Sequence, residues 1–253
     1  MTATDRLASE RLFHDRQAAE RADSFRRGRA DLRFADADFF DHETWVRPAV
    51  AALGDLRDRD VLDYGCGHGM AAVTFARAGG RVTAFDLSPG YAAEAAARAE
   101  ANGVSVRCLI ADAEDLPFPD RSFDAVWGNA VLHHLDLSRA ARELDRVLRP
   151  SGVAVFCEPW GGNPLLRLAR RRLPYPGKGH TPDERPLRHG DLAPLRAVFP
   201  RLTVRGYQLL GMAGRLLGRR PVPLLDRVDR GLLAAVPPLE NWCRYVVLTL
   251  PKG

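Results

Sequence analysis

The stretch VLDYGCGHGM, residues 61–70, places an acid and then Gly65, Gly67 and Gly69 on alternate positions directly after a short apolar run. Glycine weakens regular structure, so three in close succession serve a sharp turn or a close approach. A strand, a glycine-rich turn and a helix N-terminus in that order make a nucleotide-binding arrangement. The dinucleotide fingerprint GxGxxG is not met. The spacing is GxGxG, and Met70 stands where a last glycine would leave room for a pyrophosphate. A P-loop is excluded because no Gly-Lys-Ser/Thr follows.

Outward from this stretch the chain alternates. DVLDYG reads as a strand and HGMAAVTFARAG as a helix that ends at Gly79-Gly80. RVTAFDLS is a strand. PGYAAEAAARAEANG is a helix with Pro89 in its first turn and Gly103 past its end. VSVRCLIAD and SFDAVWGN are strands, SRAARELDRVLRPSG a helix and VAVFCEP a strand. Such alternation predicts an α/β fold, a mostly parallel sheet with helices on both faces. Residues 1–56 read as an N-terminal helical cap, with helices over RLFHDRQAAERADSFRRG and HETWVRPAVAAL. After Pro159 a Pro-, Gly- and Arg-rich segment is too long for an ordinary connection and reads as a lid. HGDLAPLRAVFP reads as a short helix, LTVRGYQLL as a strand and CRYVVLTLP as the last strand. Between those strands Leu225, Val228, Leu232 and Val236 recur at helical spacing. The division is then 1–56 cap, 57–160 core, 161–240 inserted lid with a sheet strand near 201–209, and 241–253 final core strand.

Composition sets outer limits. Of 253 residues, 46% are hydrophobic and 27% charged, ordinary values for a globular protein. No apolar run approaches the roughly 18–20 residues that cross a bilayer. The charged N-terminus lacks the apolar stretch of a signal peptide, which points to a cytoplasmic protein. Cys66, Cys108, Cys157 and Cys243 are widely separated and read as reduced thiols. Charge is uneven: net −5 over residues 1–150 and net +10 over residues 151–253. The halves therefore carry different tasks.

With these motifs in order, residues 61–159 resemble class I S-adenosylmethionine (SAM)-dependent methyltransferases, whose first motif is (D/E)xGxGxG. The resemblance implies a Rossmann-like, seven-stranded sheet and SAM as cofactor, with S-adenosylhomocysteine as product. It implies that Asp63, Gly65, Cys66, Gly67 and Gly69 form the loop against the amino-acid and ribose portions. SAM carries no phosphate, so this loop needs no anion site. Asp86, ending TAFDLS, would accept from both ribose hydroxyls, and Leu87 would pack on adenine. In IADAEDLPF, Asp112 would accept from the adenine amino group and the Ala113 backbone would meet a ring nitrogen. Asn129, at the end of the fourth strand, would lie under the methionine moiety. Asp124 reads as structural, and Glu114 and Asp115 as solvated.

Methyl transfer needs alignment of nucleophile, methyl and sulfur, and a hydroxyl acceptor also gains from a base. His133 and His134, in VLHHLD, are candidates for that base, the alternative being that they pack or orient the loop. Glu158 and Trp160 are further pocket candidates; His180 and His189 belong to the lid. The implied partner is a small-molecule acceptor (O, N or C). A quinone, secondary metabolite or lipid-like compound fits a weaker likeness in the insertion. Arg167, Arg170, Arg171 and Arg172, with Arg215, Arg219 and Arg220, make a solvated face, a site for an anionic substrate or a contact with a membrane surface. Nucleic acid is disfavoured, because these clusters lack interleaved aromatics and Asn129-Ala130-Val131-Leu132 is not the Asn/Asp-Pro-Pro-aromatic motif of amino-group DNA methyltransferases. No His/Asp/Glu set has metal-ligand spacing, so no metal is expected. Two other classes share these motifs: an enzyme of this fold performing a cyclisation or decarboxylation, and a non-catalytic SAM-binding subunit.

Overall fold

The structure, a computed structural model, describes residues 3–28, 31–172, 185–212 and 223–253. Its strands are β1 (Asp60–Tyr64), β2 (Arg81–Asp86), β3 (Val106–Ile110), β4 (Phe123–Asn129), β5 (Leu148–Pro159), β6 (Thr203–Tyr207) and β7 (Tyr245–Pro251). They form one seven-stranded sheet in the order β3-β2-β1-β4-β5-β7-β6. Strands β1 to β5 pair in parallel, and β7 runs antiparallel between β5 and β6. The sheet is thus the mostly parallel α/β arrangement expected from the alternation. Chain order reverses between β1 and β4. In an open parallel sheet that leaves a crevice at the carboxyl ends of these strands, where ligands bind.

Helices are α1 (Ala3–Arg26), α2 (Asp36–Phe40), α3 (Val46–Ala51), α4 (Met70–Arg77), α5 (Pro89–Ala101), α6 (Leu137–Val147), α7 (Pro164–Arg172), α8 (Ala193–Val198) and α9 (Pro223–Ala235). Two starts follow directly from capping chemistry. Ser88 accepts from the Tyr91 amide ahead of Pro89, and Asp136 accepts from the Ser138 and Arg139 amides.

The sheet's period-2 alternation divides the core. Leu62, Val126, Phe156 and Leu248 face α6 and α8; Val61, Trp127, Val155 and Val247 face α2 to α5. On the second face Trp127 meets Phe75 and Phe39 edge-on, at 5.6 and 6.2 Å between ring centres.

Some boundaries differ from the sequence reading. Strand β5 begins at Leu148, where SRAARELDRVLRPSG suggests helix to Gly152. The cause is a register shift opposite Phe123–Ala125, with Ser151 at φ 64°, which turns the chain into the ladder early. The short α2 has no counterpart in the sequence reading. Trp160 is fully buried in the core and stacks edge-on with His189, so it does not line a pocket. Glu114 is also buried, not solvated, whereas Asp115 is exposed. The four thiols are unpaired. His180, Arg215, Arg219 and Arg220 lie outside the described residues, as do the side chains of Arg170 and Arg171. Among the described residues no helix is long and apolar enough to cross a membrane.

Trp127→Ala should cost about 3–5 kcal/mol of unfolding free energy, because it empties an aromatic cluster that cannot collapse fully. Urea titration followed by circular dichroism measures this.

Candidate functional site

At the end of β1 the chain leaves the sheet through Gly65 (φ 69°) and Gly69 (φ 76°). Both need glycine for space as well as for backbone sign. A Cβ at Gly65 would lie 2.7 Å from the Val131 side chain, and one at Gly69 2.7 Å from the Ala95 backbone. The loop therefore packs against the turn after β4 on one side and against α5 on the other.

Asp63 is almost fully buried, and its Oδ2 accepts from the Ala72 amide at 3.0 Å. Ala72 is the third residue of α4, whose first amides have no partner within the helix. Gly69, the residue preceding that helix, offers no side chain to cap it. Asp63 does so from the neighbouring strand. Burial pushes its carboxyl up to about 7, against the pull of the Ala72 amide.

Asp86, at the end of β2, accepts from the Gly67 and Ser88 amides, each at 2.9 Å. Burial raises its pKa, and these amides oppose the rise. Asp112 accepts from the Glu114 amide at 2.8 Å. Around these groups lies a cavity. Its walls include Gly65 and Gly67 of the loop, Asp86 and Leu87 after β2, Asp112 and Ala113 after β3, and Asn129 and His134 after β4. Asp63, Cys66 and Gly69, three of the expected contacts, do not reach it; they hold the loop from beneath.

The turn after β4 separates the two histidines. Ala130 takes φ 56°, and the chain enters a 3-10 turn over Leu132–His134. Glu158 is fully buried beneath it. Its Oε1 accepts from the Val131 and Leu132 amides at 2.9 and 2.8 Å, and its Oε2 lies 2.7 Å from His133 Nδ1. His133 and Glu158 are therefore hydrogen-bonded to each other, while His134, whose ring lies 4.1 Å from that of His133 between centres, lines the cavity.

The remaining wall comes from α1, which sequence reasoning did not connect with the site. Leu7, Glu10, His14 and Gln17 line the cavity, and Arg6 joins them. Their spacing, three or four residues at a step, is one helical face and was the available signal. The helix is pinned by Arg21, whose Nε and Nη2 lie 3.0 and 2.7 Å from the Glu94 carboxylate on α5, by Ser88–Asp15 at 2.5 Å, and by Arg6, which binds Glu114 and the His134 carbonyl. Buried Glu114 also accepts from the Asp136 amide at 2.7 Å. Glu10 Oε2 lies 3.5 Å from His14 Nε2 and 3.2 Å from His134 Nδ1. Glu10, His14 and His134 come together although His134 is far from the other two in sequence, because α1 brings its residues to the far end of β4. Burial alone would lower the His14 pKa, but the Glu10 and Asp86 carboxylates outweigh it and raise it.

A comparison with known protein families decides what this site belongs to: the methyltransferase-domain family matches residues 62–156. That segment is thus similar to methyltransferase domains. Two curated relatives illustrate the likeness. The malonyl-[acyl-carrier protein] O-methyltransferase of Pseudescherichia vulneris is 40% identical over 108 residues, 42% of this chain and 41% of that protein. The 27-O-demethylrifamycin SV methyltransferase of Amycolatopsis mediterranei is 41% identical over 114 residues, 43% of this chain and 42% of that one. The chain thus spans only about two fifths of these relatives. Among solved structures, geranyl diphosphate C-methyltransferase from Streptomyces coelicolor A3(2) shares the fold, with TM-score 0.58 and 20% identity over 82% of this chain and 78% of that one.

Of the residues that the sequence analysis grouped, Gly65, Gly67, Asp86, Leu87, Asp112, Ala113 and Asn129 line one cavity. Asp124 is structural, as read: its Oδ2 accepts from the Asp60 amide at 2.9 Å and from Arg149 at 2.7 Å.

Because the Asp63 pKa is raised on folding, the folded state holds a proton that the unfolded chain releases near pH 4. Its cost appears as pH climbs from there through 7. Asp63→Asn avoids that cost, so its stability relative to the parent should grow between pH 4 and 8. The gain should reach on the order of 4 kcal/mol at about 1.4 kcal/mol per unit. Thermal unfolding of both proteins at pH 4.5 and 8 reads the difference; an equal gap at both pH values refutes it.

Proposed function

We propose that this protein transfers a methyl group from SAM to a small-molecule acceptor. The observation carrying the reading is the cavity itself. It combines two carboxylates at successive strand ends, a glycine loop with its backbone turned inward, and a helical wall bearing imidazoles. When bound, SAM supplies an electrophilic methyl on a positively charged sulfur.

Asp86 would accept from the ribose hydroxyls, with its carboxylate already set by the Gly67 and Ser88 amides. Leu87 would cover adenine, and Asp112 and the Ala113 backbone would read its edge. Asn129 would support the methionine end. Asp63, Cys66 and Gly69 act indirectly, by fixing the loop. Of the three residues expected to be catalytic, His134 is the one at the cavity; His133 and Glu158 position the turn that carries it. His14, raised in pKa by two carboxylates, stands beside His134 at 5.5 Å between ring centres. Two imidazoles at the open wall suit a hydroxyl acceptor, whose proton must leave as the methyl arrives. Both relatives named above are O-methyltransferases by name, which supports oxygen as the attacked atom. Residues 1–56 and 161–240 would shape the acceptor side, with the final strand 241–253 completing the core.

Calorimetric titration should show saturable binding of SAM and S-adenosylhomocysteine and none of NAD. Asp86→Ala should weaken SAM binding by about 10- to 100-fold, the loss of charge-assisted hydrogen bonds to two hydroxyls, with an unchanged circular dichroism spectrum. Unchanged affinity in that variant would overturn the cofactor assignment. Incubation of candidate acceptors with methyl-labelled SAM then separates methyl transfer, which releases S-adenosylhomocysteine, from a cyclisation in the same pocket, which does not.

A further inference from the structure

We infer that Glu10, His14 and His134 form a binding site for a divalent transition-metal ion in the wall of the cavity. The inference does not depend on the methyl-transfer reading. It rests on where three donor groups meet. Glu10 and His14 are four residues apart on α1 and so share one helical face. His134 arrives from the turn after β4. One ligand atom from each residue lies within 4.8 Å of the other two.

The distances fit a ligand set as well as an ion pair. Donors about 2.05 Å from a tetrahedral ion stand about 3.3 Å from one another. Glu10 Oε2 is 3.2 Å from His134 Nδ1 and 3.5 Å from His14 Nε2. Both separations match that spacing, and 3.5 Å is long for a hydrogen bond. His134 Nδ1 is buried with no hydrogen bond of ordinary geometry among the described residues, although the carboxylate oxygen is close. An ion seated between them would take the lone pairs of both imidazoles and the carboxylate charge together, so in the metal-loaded protein these rings are ligands and not bases.

Local charge favours a cation. With neutral imidazoles the cluster carries the single negative charge of Glu10, and Asp86 adds to the field at His14. Arg6, a guanidinium that lines the same cavity, is engaged by Glu114 and the His134 carbonyl. Gln17 hydrogen-bonds the His14 ring, which restricts its rotation.

The donor set names the chemical class. Two imidazoles and one carboxylate suit Zn²⁺, Co²⁺, Fe²⁺ or Mn²⁺; they do not suit Ca²⁺, which takes oxygen ligands in larger number. Three protein ligands leave a coordination position free, the pattern of a reactive rather than a structural site. All three residues line the cavity, so the free position faces it. A hydroxylate or carbonyl oxygen of a bound molecule is the matching ligand.

The test uses untagged full-length protein stripped with chelator and titrated with Co²⁺, whose visible bands intensify in a low-symmetry nitrogen and oxygen site. The expected result is saturation at one equivalent, with bands displaced by added Zn²⁺. His134→Ala and His14→Ala should each weaken Co²⁺ binding by about tenfold or more. His189→Ala, which alters an exposed imidazole elsewhere, should leave it unchanged. Glu10→Gln preserves shape and removes the charge, so it should also lose the ion while α1 stays docked, as circular dichroism would report. His14 is partly exposed, which keeps that variant informative if His134→Ala misfolds. Absence of the bands, or equal Co²⁺ affinity in all four variants, would overturn the site.

Discussion

One carboxylate with no access to water organises the carboxyl-terminal edge of the sheet. Glu158 ends β5 fully buried, and a buried charge is tolerated only when its partners satisfy it. Here two backbone amides and an imidazole converge on it from the turn after β4. That turn starts at Ala130, in a backbone conformation that non-glycine residues seldom adopt. The carboxylate thus supports local strain, of the order of 1–3 kcal/mol, that the turn could not hold alone. The effect propagates. Val131, fixed by its amide, fills the space where a side chain on residue 65 would stand. The glycine loop and the β4 turn are consequently set relative to each other, and the cavity between them acquires a defined width.

A second constraint lies beneath the loop. Asp63 stabilises the start of α4 by accepting from Ala72, yet its burial penalises the charge that makes it a good acceptor. Asp86 meets the same penalty in milder form and is stabilised by loop amides. Both acids were expected to touch the ligand directly. In the structure one supports a helix and the other faces the cavity. Sequence spacing alone does not distinguish these roles, because both acids follow apolar strand residues; only the direction of each side chain at its strand end does.

That contrast shows which features a linear reading captures. The alternation of strands and helices is local, so it identified the sheet from residue 60 to 159. Caps at Ser88 and Asp136 are equally local. Cavity residues carried by those strand ends were legible for the same reason. The site's remaining wall was not, because it depends on α1 crossing to β4 through Arg6 and Glu114, more than a hundred residues apart. Glu114 looked solvated from its polar neighbours, yet it is a buried anchor. Trp160 and Glu158 looked like pocket residues since they follow a strand end, but they turn into the core. A polar helix such as α1 shows its working face only when the surface it covers is known.

The docking of α1 gives the cavity a mechanical property. A molecule seated there touches a wall that is held mainly by arginine–carboxylate pairs rather than by a continuous apolar seam. The acids of these pairs, Glu114 and Glu94, are buried, so salt screens them less than it screens surface pairs. The time a ligand stays inside is therefore tied to how long this helix remains latched, and residues on the far side of α1, such as Arg21, act as the hinge pins of a door they never touch from within.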